Sequence, residues 1–176
     1  MPSISSFPPL ARADARLLIL GSMPGEASLV AGRYYAHPQN TFWPILAELY
    51  GFPADAPYHQ RVAALKRAGI AVWDVLQSCR REGSLDSGIS PESEVANDFT
   101  AFFATHPRIR KVCFNGSKAE QAFRRHVLPT LDARQLTFCR LPSTSPAHAT
   151  LDRKAKLAAW HSALATGGFV PGVPDR

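Results

Sequence analysis

The run LLILGSMPGEASLVAGRYYAHPQNTFW, residues 17–43, decides how the rest of the chain is read. Leu17-Leu18-Ile19-Leu20 is apolar throughout and stops at Gly21-Ser22, the pattern of a short buried strand ending in a turn. Strands apolar on both faces belong to parallel sheets covered by helices on either side. In open sheets of that kind ligands sit beyond the carboxyl ends of the strands. The polar stretch after Leu20 is therefore a candidate site.

Two prolines, Pro24 and Pro38, and three glycines, Gly21, Gly25 and Gly32, restrict or specialise this backbone, so the loop is shaped and its side chains can be aimed. Tyr34, Tyr35, His37 and Asn40 are compressed into its last seven residues. Thr41 to Leu46 begins a helix that either Asn40 or Thr41 can cap, which leaves Asn40 with both a structural and a chemical reading. His37 likewise either fixes the loop or donates to a ligand, and Tyr34 reads as packing.

Outward from this stretch, helices are expected at about 41–50 and 59–67, then a strand at 70–76. Asp74 interrupts that apolar strand near its end, where a carboxylate must find donors or lose its charge. It either ties down the adjoining loop or supports the chemistry. A polar loop, 77–91, carries Arg80 and Arg81, and a helix is expected over 93–105 with Val95 facing inward. Next come a strand at 111–116 ending in Asn115-Gly116, a helix capped by Ser117 through His126, a strand at 136–141, the loop Pro142 to Thr150, and a helix from Arg153 to Leu164 capped by Asp152. Asn115 is either a turn residue or a second functional amide. The alternation predicts an α/β fold, a three-layer α/β/α sandwich around a four-stranded parallel sheet. The polar loops after its first, third and fourth strands should converge.

The 176 residues fit one domain, with a core at about 16–164 and frayed ends at 1–9 and 166–176. Apolar content of 45% with 19% charged residues is that of a soluble globular protein, and no apolar run reaches the ~18 residues of a membrane span. The first residues lack the apolar core of a signal peptide, so a cytoplasmic location is expected. Cys79, Cys113 and Cys139 are too few and too scattered for a metal framework, so neither metal nor cofactor is expected. A net charge of +6 favours a polyanionic partner.

Taken in order, GSMPGEAS, YYAHPQNTFW, VCFNGSKA and LPSTSPAHAT resemble the uracil-DNA glycosylase superfamily, most closely its hypoxanthine-DNA (deoxyinosine) glycosylase branch. The resemblance runs over about residues 16–164. It implies a uracil-DNA glycosylase-like fold, a monomer without cofactor, and a partner that is DNA containing deaminated bases. Asn40 would be the catalytic asparagine that positions water. Tyr35 would stack on the extruded base and Asn115 would read its edge, with Gly21, Ser22 and Met23 against the same base. Ser143, Ser145, Pro146, Ala147 and His148 would hold DNA phosphates and wedge into the duplex.

The chain departs from the uracil-specific enzymes at Met23, where they carry Asp or Asn, because a thioether cannot orient or deprotonate water. His148 stands where the branch often has Asn. The implied activity is a monofunctional hydrolase, since no lysine is evident in the motif loops to form a Schiff base; Lys118, the nearest candidate, lies on a helix after its loop. A glycosylase for uracil or mismatches and a catalytically silent DNA-binding module are the alternatives. A phosphate-cradling nucleotide enzyme is disfavoured, since no Gly-x-Gly-x-x-Gly or P-loop follows the first strand.

Overall fold

A computed structural model describes residues 2–165; the expected C-terminal fraying at 166–176 lies outside the described residues. Four parallel strands form the central sheet: β2 (Leu17–Gly21), β3 (Ile70–Asp74), β6 (Lys111–Asn115) and β7 (Thr137–Leu141), in the order β3-β2-β6-β7. Leu17 pairs with Ile70 on one side and Lys111 on the other, so the carboxyl ends of the strands rise together.

Alternation along each strand divides the core into two halves. Leu17, Ile19, Ile70, Val72 and Cys113 face one layer, made of α2 (Phe42–Tyr50), α3 (Tyr58–Arg67) and α6 (Arg153–Ala165). Leu18, Leu20, Ala71, Trp73, Val112 and Phe114 face the other, made of α4 (Phe99–Thr105) and α5 (Ser117–His126). This is the expected α/β/α sandwich, and each fully buried Leu, Ile or Phe contributes roughly 1.5–3 kcal/mol by leaving water.

Several boundaries differ from the sequence expectation. The loop after β2 contains a short helix, α1 (Glu26–Ala31), closed by Gly32 in the left-handed region at φ 64°. The strand expected over 70–76 ends at Asp74, and Leu76–Arg80 forms β4 in a second, antiparallel sheet with β1 (Ser3–Ser5) and β5 (Val95–Ala96). The start of the chain is thus paired, not frayed, and the loop expected from residue 77 opens as a strand. The helix expected from residue 93 begins at Phe99, because the carboxylate of Asp98 accepts the Ala101 N–H at 3.0 Å and caps it there. Val95, expected inward, is exposed on β5. Gly116, not Ser117, occupies the cap of α5 with φ 97°, a conformation that glycine accepts without strain. Among the described residues no helix is long and apolar enough to cross a membrane.

Candidate active site

Beyond the carboxyl ends of β2, β3, β6 and β7 lies a cleft of about 780 Å³. Gly21, Ser22, Met23, Tyr35, His37, Asn40, Asp74, Asn115, Ser143, Ser145, Pro146, Ala147 and His148 all line it, whereas Arg80 and Arg81 do not. The convergence follows from the parallel register, which brings loops far apart in sequence to one edge of the sheet.

Asn40 takes the structural role at the start of the helix and also lines the cleft. Its Oδ1 accepts the Phe42 N–H at 3.0 Å, satisfying one of the orphan donors at the start of α2. That bond fixes the carboxamide and leaves one Oδ1 lone pair and the Nδ2 protons for a ligand. His37 Nδ1 accepts the Gln39 N–H at 3.1 Å, so this exposed ring shapes the turn leading to Asn40.

Tyr35 is the one non-glycine residue among those described with positive φ, at 54°. A bulky side chain in that region is strained, and such strain persists where surrounding contacts over-determine it. Here the ring stacks on Phe42 with centroids 3.9 Å apart and planes 19° from parallel. Its hydroxyl is buried with no hydrogen bond of good geometry, although the Asn115 amide is near enough to counter slightly the upward pull of burial on its pKa. Tyr34 packs behind it, with its hydroxyl donating to the Pro8 carbonyl at 2.8 Å.

Asp74 sits where β3 meets the cleft, in register with Gly21. Only 3% of the residue is exposed, and its Oδ2 has no hydrogen-bond partner. Burial, reinforced by the Asp86 carboxylate and opposed by the Arg81 cation, pushes its pKa up to about 7. Arg81 is buried and donates to the Gly83 carbonyl, whereas Arg80 is exposed and faces Glu92 at 3.5 Å. Gly21 makes room for this arrangement: a Cβ there would lie 2.5 Å from Asp74 Oδ1 and 3.0 Å from the Tyr35 hydroxyl.

Three contacts that sequence patterns did not reveal tie the cleft walls together. Thr144, buried beneath the last loop, meets Asn115 through both its N–H and its hydroxyl. Its carbonyl accepts the Thr41 N–H at 3.0 Å. The Ser22 hydroxyl donates to Asp86 at 2.5 Å, latching the loop after β4 to the loop after β2. None of these leaves a signal in periodicity or spacing.

The loop after β7 is built from short self-contacts. Ser143 Oγ accepts the Ser145 N–H at 3.1 Å, and Ser145 Oγ accepts the Ala147 N–H at 3.2 Å. Both hydroxyl oxygens act as acceptors, so their protons remain to be donated, as suits an anion. Two cations line the cleft and each faces a carboxylate: Lys118 is bonded to the buried Glu94, and Arg140 lies 3.8 Å from Glu120. Among the described residues no three His, Cys, Asp or Glu side chains converge as a metal site requires.

Residues 8–164 match the family model described as the uracil DNA glycosylase superfamily. A hypoxanthine DNA glycosylase of Methanosarcina barkeri is 39% identical over 114 residues, 64% of this chain and 71% of the relative. One from Methanosarcina acetivorans is 38% identical over the same shares. A solution NMR structure of a protein described as a candidate uracil DNA glycosylase, also from Methanosarcina acetivorans, superimposes with a TM-score of 0.76 at 32% identity, covering 90% of this chain and 94% of that one.

Proposed function

The chain belongs to the uracil DNA glycosylase superfamily, and from that premise we propose that it removes deaminated bases from DNA, hypoxanthine foremost, by hydrolysing the N-glycosidic bond. The observation that carries this reading is the meeting of Asn40, Tyr35 and Asn115 on one cleft at the strand ends. The relatives named for hypoxanthine support the choice of base. A single-domain monomer acting in the cytoplasm is part of the same proposal.

A glycosidic bond inside a duplex is out of reach of water, so the nucleotide is swung into the cleft at a cost of a few kcal/mol in stacking and pairing. Tyr35, backed on one ring face by Phe42, offers its other face to the base, a contact worth roughly 1–3 kcal/mol. Asn115 spends one N–H and one lone pair on Thr144 and retains one of each, which matches the adjacent C=O and N–H of a lactam. Gly21, Ser22 and Met23 close the pocket around that edge.

As the bond breaks, the sugar becomes oxocarbenium-like and the base departs with negative charge. Asn40, an amide held by its bond to the Phe42 N–H, is not a base at neutral pH. It holds a water in line with the sugar carbon, and donors around the base stabilise the leaving charge. Ser143 and Ser145 donate to the flanking phosphates, with Pro146, Ala147 and His148 completing the contact with the backbone. Lys118 is engaged in an ion pair with Glu94 and is not free to attack the sugar, in keeping with hydrolysis without strand cleavage.

The test is incubation with duplexes carrying hypoxanthine, xanthine, uracil or a thymine mismatch, followed by alkaline cleavage at abasic sites. Release of hypoxanthine is expected. Release of uracil alone would replace the base assignment, and binding without any abasic product would leave a DNA-binding module.

A further inference from the structure

Lys156, on α6 beneath the loop Ser143–His148, is 4% exposed and stands outside the residues assigned so far. Its ammonium makes one long hydrogen bond, 3.4 Å to the Ser145 carbonyl, and no ion pair among the described residues. An ammonium carries three donors, and a buried one without a counter-charge is costly. Burial alone acts on it, lowering its pKa, with no neighbouring carboxylate to oppose the shift. Glu94 and Glu120 already face the cleft cations Lys118 and Arg140. Trp160, one turn further along α6, donates to the Pro142 carbonyl at 2.9 Å, so the helix grips the loop at both ends.

We infer that Lys156 is the counter-charge for a DNA backbone phosphate seated on the Ser143–Ser145 hydroxyls, acting as a positioning residue from beneath the loop. The loop itself supplies neutral donors, whose contact with a phosphate is strengthened by a cation on the far side. Low dielectric around the buried ammonium makes that attraction larger than it would be at the surface. The energetic cost of burying Lys156 in the free protein is then recovered when the phosphate arrives. This assignment rests on the proposal that the cleft takes DNA.

The experiment measures binding of a hypoxanthine-containing duplex by fluorescence anisotropy from low to high salt, in the Asn40→Ala background to prevent turnover. Lys156→Met should weaken binding roughly ten-fold or more. It should also reduce the slope of log K against log salt by about 0.9, the value for one phosphate neutralised, while Lys156→Arg keeps the slope. An unchanged slope in Lys156→Met overturns the assignment. In the protein with Lys156 intact, the Lys156 Cε resonance should titrate at higher pH with DNA bound than without. An identical midpoint overturns the inference even if the methionine variant does not fold. Loss of all DNA binding by the parent would instead refute the underlying reading of the cleft.

Discussion

Asn115 grips Thr144 with both ends of its carboxamide: Oδ1 accepts the Thr144 N–H at 3.0 Å and Nδ2 donates to the Thr144 hydroxyl at 2.9 Å. The amide proposed to read the base is thus also the clasp of the loop proposed to hold the backbone. Asn115→Ala should slow single-turnover excision by more than Thr144→Val does. The alanine removes both the base contact and the clasp, and the valine removes one hydroxyl bond worth about 1 kcal/mol. Equal rates for the two variants would confine Asn115 to holding the loop.

Asn40→Ala should reduce the single-turnover rate at least a hundred-fold while leaving affinity for lesion DNA within a few-fold. It should also cost about 1 kcal/mol of stability, because the bond to the Phe42 N–H is lost. Asn40→Asp keeps an acceptor at that position and should retain the stability. Kinetics and thermal melts on the two variants separate the structural bond from the chemistry.

Asp74 makes stability depend on pH with a definite sign. Its carboxyl titrates near 3.8 when unperturbed and at about 7 when buried. Between those values the native state holds a proton that the unfolded chain has released, so this group withdraws stability as pH rises and adds it as pH falls. The gap sets a ceiling of roughly 4 kcal/mol. Asp74→Asn should raise the melting temperature at pH 8 more than at pH 5, and melts at both values check it.

Gly21→Ala should destabilise the protein by about 1–3 kcal/mol and abolish excision, since the added carbon collides with Asp74 and crowds the Tyr35 hydroxyl. Calorimetry and the excision assay together test it, and full activity would show that the Asp74–Tyr35 corner yields freely.

Tyr35→Phe keeps the ring and deletes a buried, unpartnered hydroxyl. It should match or exceed the parent in stability and retain most of its rate. Tyr35→Ala loses the stacking surface and should slow single-turnover release by ten-fold or more. A phenylalanine variant as impaired as the alanine one would give the hydroxyl a direct role.

The sheet and its converging loops were legible because apolar runs ending in Gly-Ser, Asn-Gly and Pro-Ser mark strand ends, and parallel register does the rest. For the same reason Asn40 is legible on the loop after β2 and Asn115 at the end of β6. Val95, Phe99, Phe102 and Phe103 mimic a helical stripe from residue 93, while the Asp98 cap and the pairing of Val95–Ala96 with β4 set the start of α4 at Phe99. Helix α1 leaves no periodic signal, because its six residues are too few to show a stripe and Val30 on it faces solvent. Thr144, the orphaned oxygen of Asp74 and the uncompensated charge of Lys156 arise from contacts between distant segments. No local pattern encodes them.

The opening residues deserve a practical reading. Phe7 and Pro8 offer their carbonyls to the Trp73 indole at 3.0 Å and the Tyr34 hydroxyl at 2.8 Å, bracing from behind the wall that carries Asp74 and Tyr35. Trimming this leader, or fusing a bulky tag against it, would leave every motif residue in place and still loosen the pocket they share.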